Sequence, residues 1–74
     1  MENTDRIDYK ERDRKAIVDY LAKQEGEVLV AKVMTDSGAD KLRVYTLLFE
    51  LEMEGRVQVV KASEFGTPEI VKLV

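Results

Sequence analysis

The feature that most narrows the possible folds of this chain is a change of hydrophobic period at Gly55. Upstream, in KLRVYTLLFELEME, Val44, Leu47, Leu48 and Leu51 fall on one stripe at 100° per residue, which predicts an amphipathic helix with that stripe in the core. Downstream, RVQVVK (56–61) and EIVKLV (69–74) are short β-branched runs. The segment between them, ASEFGTP, carries Gly66 and Pro68 and can reverse the chain. A helix followed by a hairpin puts the chain in the α+β class.

The rest of the sequence supplies the other elements. The first eight residues, MENTDRID, alternate charges without an apolar period and are expected to be a flexible N-terminal segment. Asp8 can cap a first helix over about 9–24, with Glu11 three residues on as in a variant capping box. Ile17, Tyr20, Leu21 and Gln24 share its inward stripe, and Asp13, Lys15, Asp19 and Lys23 are expected outside it. Gly26 ends that helix, and Glu27, Val28 and Leu29 read as a short extended link. A second helix of two turns is expected from Val30 to about Asp36, with Val30, Val33 and Met34 inward. Ser37 and Gly38 break it, and Asp40 caps the third helix. Three helices, the last two forming a helix-turn-helix, followed by a two-stranded β-hairpin, is the order of a winged helix, so residues 9–74 are expected to form one winged-helix domain.

Size and composition limit the function. Seventy-four residues allow one small core, and with 45% hydrophobic and 36% charged residues the chain has the make-up of a folded domain. Without cysteine or histidine it has no thiolate nucleophile, no imidazole base and no zinc site of the usual kinds. A binding module with no cofactor, metal or small-molecule substrate is therefore expected, rather than an enzyme. Glu50, Glu52 and Glu54 are spaced by two, point in different directions on a helix, and read as a solvated surface. No apolar run approaches the roughly 18 to 20 residues of a membrane span, so a cytoplasmic, non-membrane location is expected.

The run Leu47 to Val57, LLFELEMEGRV, resembles the end of the third helix in the C-terminal winged helix of the DNA-processing protein A (DprA/Smf) family, a bacterial family. Leu47, Leu48, Leu51 and Gly55 match its leucine-rich pattern, and Phe49 and Met53 stand where leucines are expected. The resemblance extends more loosely over residues 16–74 and implies a winged helix. The family's large domain that handles single-stranded DNA has no counterpart in these residues, and no single-strand activity is carried over. A fainter resemblance, to the Z-DNA-binding winged helices, rests on Gly66, Thr67 and Pro68 in the wing. Tyr45 and Phe49 occupy the third-helix positions where that family places its polar amide residue and its tyrosine, so the polar contacts are missing, which argues against Z-DNA.

The leading expectation is a DNA-binding or regulatory module whose third helix (about 41–54) and wing contact double-stranded DNA, with a protein-interaction module as the alternative. For double-stranded DNA the candidates are Lys41, Arg43, Tyr45, Thr46, Arg56 and Lys61, the cations on phosphates and the helix residues near phosphates or base edges. Against it stands the charge: 12 Lys plus Arg against 15 Asp plus Glu, a formal −3, with Glu64 and Phe65 at the wing tip. A second basic group, Lys10, Arg12, Arg14 and Lys15, is interleaved with Glu11 and Asp13 and is expected to form i,i+4 surface pairs. The alternative is a protein interface, a homodimer or another partner, through Leu42, Tyr45, Phe49 and Met53. Leu42, Phe49 and Met53 lie within about 40° of one another on the wheel, opposite the core stripe. Such a stripe marks an interface unless the first helix or the wing covers it.

Overall fold

A computed structural model of the chain describes residues 8–74. The expected N-terminal segment lies, apart from Asp8, outside the described residues. The elements are α1 (Tyr9–Lys23), β1 (Val28–Leu29), α2 (Val30–Asp36), α3 (Lys41–Met53), β2 (Val57–Ala62) and β3 (Pro68–Leu73).

The helix limits follow from local hydrogen bonding. Asp8 accepts from the Glu11 amide at 3.1 Å and starts α1. Asp40 accepts from the Leu42 amide at 2.9 Å and starts α3. At the far end of α3 the Arg56 amide donates to the Leu51 carbonyl and the Gly55 amide to that of Glu52. This is a Schellman closure, which needs a left-handed residue, and Gly55 sits at φ 77°. The turn between β2 and β3 is held by Ser63, whose hydroxyl oxygen accepts from the amides of Phe65 and Thr67.

The α+β expectation is met, with one addition. Val28–Leu29, expected as a link, is a strand that pairs antiparallel with β3, Val28 opposite Val71 and Leu29 opposite Ile70. The sheet is therefore three-stranded, in the order β1-β3-β2, and the β2–β3 hairpin is part of it. Burial explains the pairing: Val28, Val57 and Val71 all turn into the core, so the short strand completes the inner face while satisfying the free edge of β3. On β2 the register shifts between Val59 and Lys61, leaving Val60 without a partner residue. A bulge of this kind interrupts an edge strand as a template for further pairing.

The core joins Ile17 and Leu21 of α1, Val30 and Val33 of α2, Val44, Leu47, Leu48 and Leu51 of α3, and Val57 and Val71 of the sheet. The stripe expected on α3 is buried in full. On α1 the stripe needs two corrections. Gln24 is the exposed, extended C-cap rather than an inward residue, and Asp13, expected outside, is buried.

A candidate interaction face on the third helix

Asp13 is 6% exposed, and a carboxylate taken out of water needs a counter-charge. Arg43 provides it: its Nη1 donates to Asp13 Oδ2 at 2.9 Å and lies 3.4 Å from Asp40 Oδ2. The Arg43 guanidinium also lies 5.8 Å from the ring centroid of Tyr9. The first turn of α3 is thus bolted to the first turns of α1. The sequence carried a signal for this, because Asp13, Ile17 and Leu21 are spaced i, i+4, i+8 along one face of a helix.

Among the described residues the basic group of α1 forms none of the i,i+4 pairs expected of it. Lys10 and Arg14 reach across to α3 instead. Lys10 pairs with Glu50 at 2.8 Å, and Arg14 donates both guanidinium nitrogens to the carboxylate of Glu54, one of them at 2.7 Å, with Glu50 also 3.9 Å away. Two of the three glutamates read as solvated surface therefore fasten the helices together. The hydrogen bond from Arg14 holds the Glu54 carboxyl below its ordinary value, and the same bond raises Arg14. A depressed carboxylate contributes stability above its ordinary titration range, and the contribution is lost as pH falls through the folded value. Glu50 likewise raises Lys10.

With one edge of α3 facing α1, its other edge faces the sheet. Tyr45 borders an open groove of about 480 Å³ lined also by Leu29, Val30 and Met34 and by Ser63, Thr67 and Pro68 at the turn end of the hairpin. Sequence reading gave no hint of this groove, since it exists only where α2, α3 and the hairpin converge.

Between these two edges runs the outward side of α3. Leu42 is 91% exposed, Met53 80%, Phe49 46% and Tyr45 38%. Neither α1 nor the hairpin covers Leu42 or Met53, and Phe49 is half covered. Thr46 and Glu52 are exposed beside them.

The candidate DNA contacts are dispersed. Arg43 is engaged with Asp13, and Lys61 lies 3.9 Å from Glu69. Arg56 follows the C-terminal end of α3 and borders a depression with Glu11, Lys15 and Asp19 of α1, at the opposite end of the helix from Lys41. Lys41, Tyr45 and Thr46 are exposed on the N-terminal half of α3, and Lys41 has no ion-pair partner among the described residues. No cluster of three or more His, Cys, Asp or Glu side chains with metal-binding geometry occurs among the described residues. Among them, no helix is long and apolar enough to cross a membrane.

Comparison with protein-family models, with curated proteins and with solved structures gave no match to this chain.

Proposed function

We propose that the chain is a winged-helix binding module, with α2 and α3 as its helix-turn-helix and the β2–β3 hairpin as its wing, and that the outward side of α3 docks on protein. The observation that carries this reading is the make-up of that side. Its most exposed large side chains are Leu42 and Met53, with Phe49 between them. A contiguous apolar stripe kept in water gains free energy when another apolar surface covers it. A helix lying in a DNA groove instead meets phosphates and base edges, and rewards cations and amides. Of the two cations that flank Leu42, Arg43 already neutralises Asp13, and acidic residues flank the C-terminal half. The resemblance of residues 47–57 to the DprA/Smf winged helix supports the fold and adds no activity.

Duplex DNA is the second reading, and one observation favours it. Lys41, Tyr45 and Thr46 are exposed on the N-terminal half of α3, the half that enters the major groove in helix-turn-helix proteins.

A photo-crosslinking residue in place of Met53, introduced in the producing cell, separates the two. Protein adducts of discrete mass are expected there, and none from the same residue in place of Lys23 at the far end of α1. Titration of the labelled protein with several short duplexes at low salt is expected to leave the α3 amides unmoved. Shifts at Lys41, Tyr45, Thr46 and Lys61 that disappear between about 50 and 200 mM salt, with no protein adduct, would overturn the protein reading in favour of DNA.

A further inference from the structure

The charges on α3 run the wrong way for an isolated helix. Its first turn holds Lys41 and Arg43 and no acidic residue, and its last turn holds Glu50 and Glu52 and no basic one. The backbone dipole places partial positive charge at the N-terminus and negative charge at the C-terminus, so, the Asp40 cap apart, the charges within both terminal turns carry the less favourable sign. In α1 the first turn is mixed, with Glu11 between Lys10 and Arg12, and the last turn holds the favourable Lys23.

Contacts with α1 account for Arg43, Glu50 and Glu54. They leave Lys41 and Glu52, both exposed and both without an ion-pair partner among the described residues. These two share one edge of the apolar stripe, about 20° apart on the wheel at 100° per residue. Eleven residues separate them, roughly 16 Å along the axis, too far to pair with each other.

From this we infer that a second copy of the chain occupies the face, its α3 lying antiparallel across the first about a two-fold axis that meets the outward side between Thr46 and Phe49. The inference rests on the proposal that this face docks on protein, and it names the partner. In an antiparallel pair of helices the same edge of each meets across the seam. The axis brings Leu42 of one copy to Met53 of the other, and Phe49 to the neighbourhood of Thr46. It also sets Lys41 beside Glu52 of the other copy, twice. Each acidic C-terminal end then lies next to the other copy's basic, dipole-positive N-terminal end. A parallel arrangement would bring like charges together at both ends. The face is therefore complementary to itself in one orientation, which is the requirement of an isologous interface. Its exposed large apolar side chains are few, Leu42, Phe49 and Met53 with Tyr45 beside them, which suits a contact smaller than the roughly 800 Å² per partner of a standard interface. The dimer is accordingly expected to be weak.

Sedimentation of the full chain over a concentration series, with helical circular dichroism as the check on folding, tests this directly. The parent is expected to pass from monomer to dimer, and Leu42→Asp, at a position exposed enough to leave the core untouched, is expected to remain a folded monomer. Lys41→Glu and Glu52→Lys are each expected to weaken the dimer about fivefold or more, since each removes two cross-pairs and creates repulsion. The double variant Lys41→Glu/Glu52→Lys is expected to recover parental affinity, a rescue that only pairing between copies can produce. A parent that stays monomeric at millimolar concentration would overturn the inference. So would a dimer that survives Leu42→Asp, or one in which the double variant is no better than the singles. Crosslinks from position 53 to proteins of other mass, with a monomeric parent, would sink the self-pairing while leaving the protein-docking reading standing.

Discussion

The first and third helices make an instructive pair. Both begin at an aspartate cap, both bury a stripe of branched aliphatic residues, and each holds the other through ion pairs. They differ on the side turned to water. The outward residues of α1 are charged apart from Tyr9 and Ala22, with both signs in its first turn (Lys10, Glu11 and Arg12) and the dipole-favourable Lys23 in its last. The outward side of α3 carries Leu42, Phe49 and Met53, and its terminal charges oppose the dipole. The cap, the buried stripe and the ion pairs of α1 are explained by forming and packing a helix. On α3 the core stripe and the glutamates that grip α1 are explained in the same way, and the apolar outer stripe is not. A residue choice that local stability does not favour is where a selected role is to be sought.

The largest expected effect tests the two sides of α3 against each other. Leu48→Ala removes a fully packed side chain and is expected to cost about 2–5 kcal/mol, a large part of the stability of a domain this small. Leu42→Ala, six residues earlier on the exposed side, is expected to change stability by less than about 0.5 kcal/mol. Chemical denaturation at a concentration where the chain is monomeric measures both. A larger loss at Leu42 than at Leu48 would mean that the helix is rotated about its axis and the two stripes exchanged.

An intermediate effect tests the bolt between the helices. Arg43→Ala leaves the Asp13 carboxylate buried without its counter-charge and is expected to cost about 1–3 kcal/mol. If denaturation shows no loss while binding to duplex DNA is abolished, Arg43 belongs to a nucleic-acid face and the comparison with α1 loses its main support.

The smallest effect sharpens the comparison most. In the monomer, Lys41→Glu puts an acidic residue at the N-terminus of α3, as Glu11 stands in α1, and is expected to stabilise the fold by about 0.3–1 kcal/mol. Self-association of the same variant is expected to weaken. Opposite signs in denaturation of the dilute chain and in sedimentation of the concentrated chain would establish that Lys41 is kept for contact rather than for the helix. A loss of monomer stability would mean that Lys41 supports the fold.

Much of this was legible in the sequence because it is local. Asp8, Asp40 and Gly55 mark helix limits through hydrogen bonds and a left-handed conformation that involve only nearby residues. The stripe Val44, Leu47, Leu48 and Leu51 follows from helical periodicity, and the hairpin from two β-branched runs around Gly66. The exposed stripe of Leu42, Phe49 and Met53 follows from the same wheel.

Tertiary structure decided the rest, since it concerns residues far apart in sequence whose pairing no local rule specifies. Two residues, Val28 and Leu29, are too few to declare a strand, and become one only where the free edge of β3 passes beside them. Asp13 is a surface residue by type, and is buried because Arg43, thirty positions later, arrives to neutralise it. Lys10 and Arg14 had acidic neighbours along their own helix and took Glu50 and Glu54 instead, because α3 packs alongside and brings those carboxylates within reach. Periodicity records which side of a helix is apolar. Only the packed molecule decides which cations are already neutralised, and so whether the outer side of α3 is left to meet phosphate or another apolar surface.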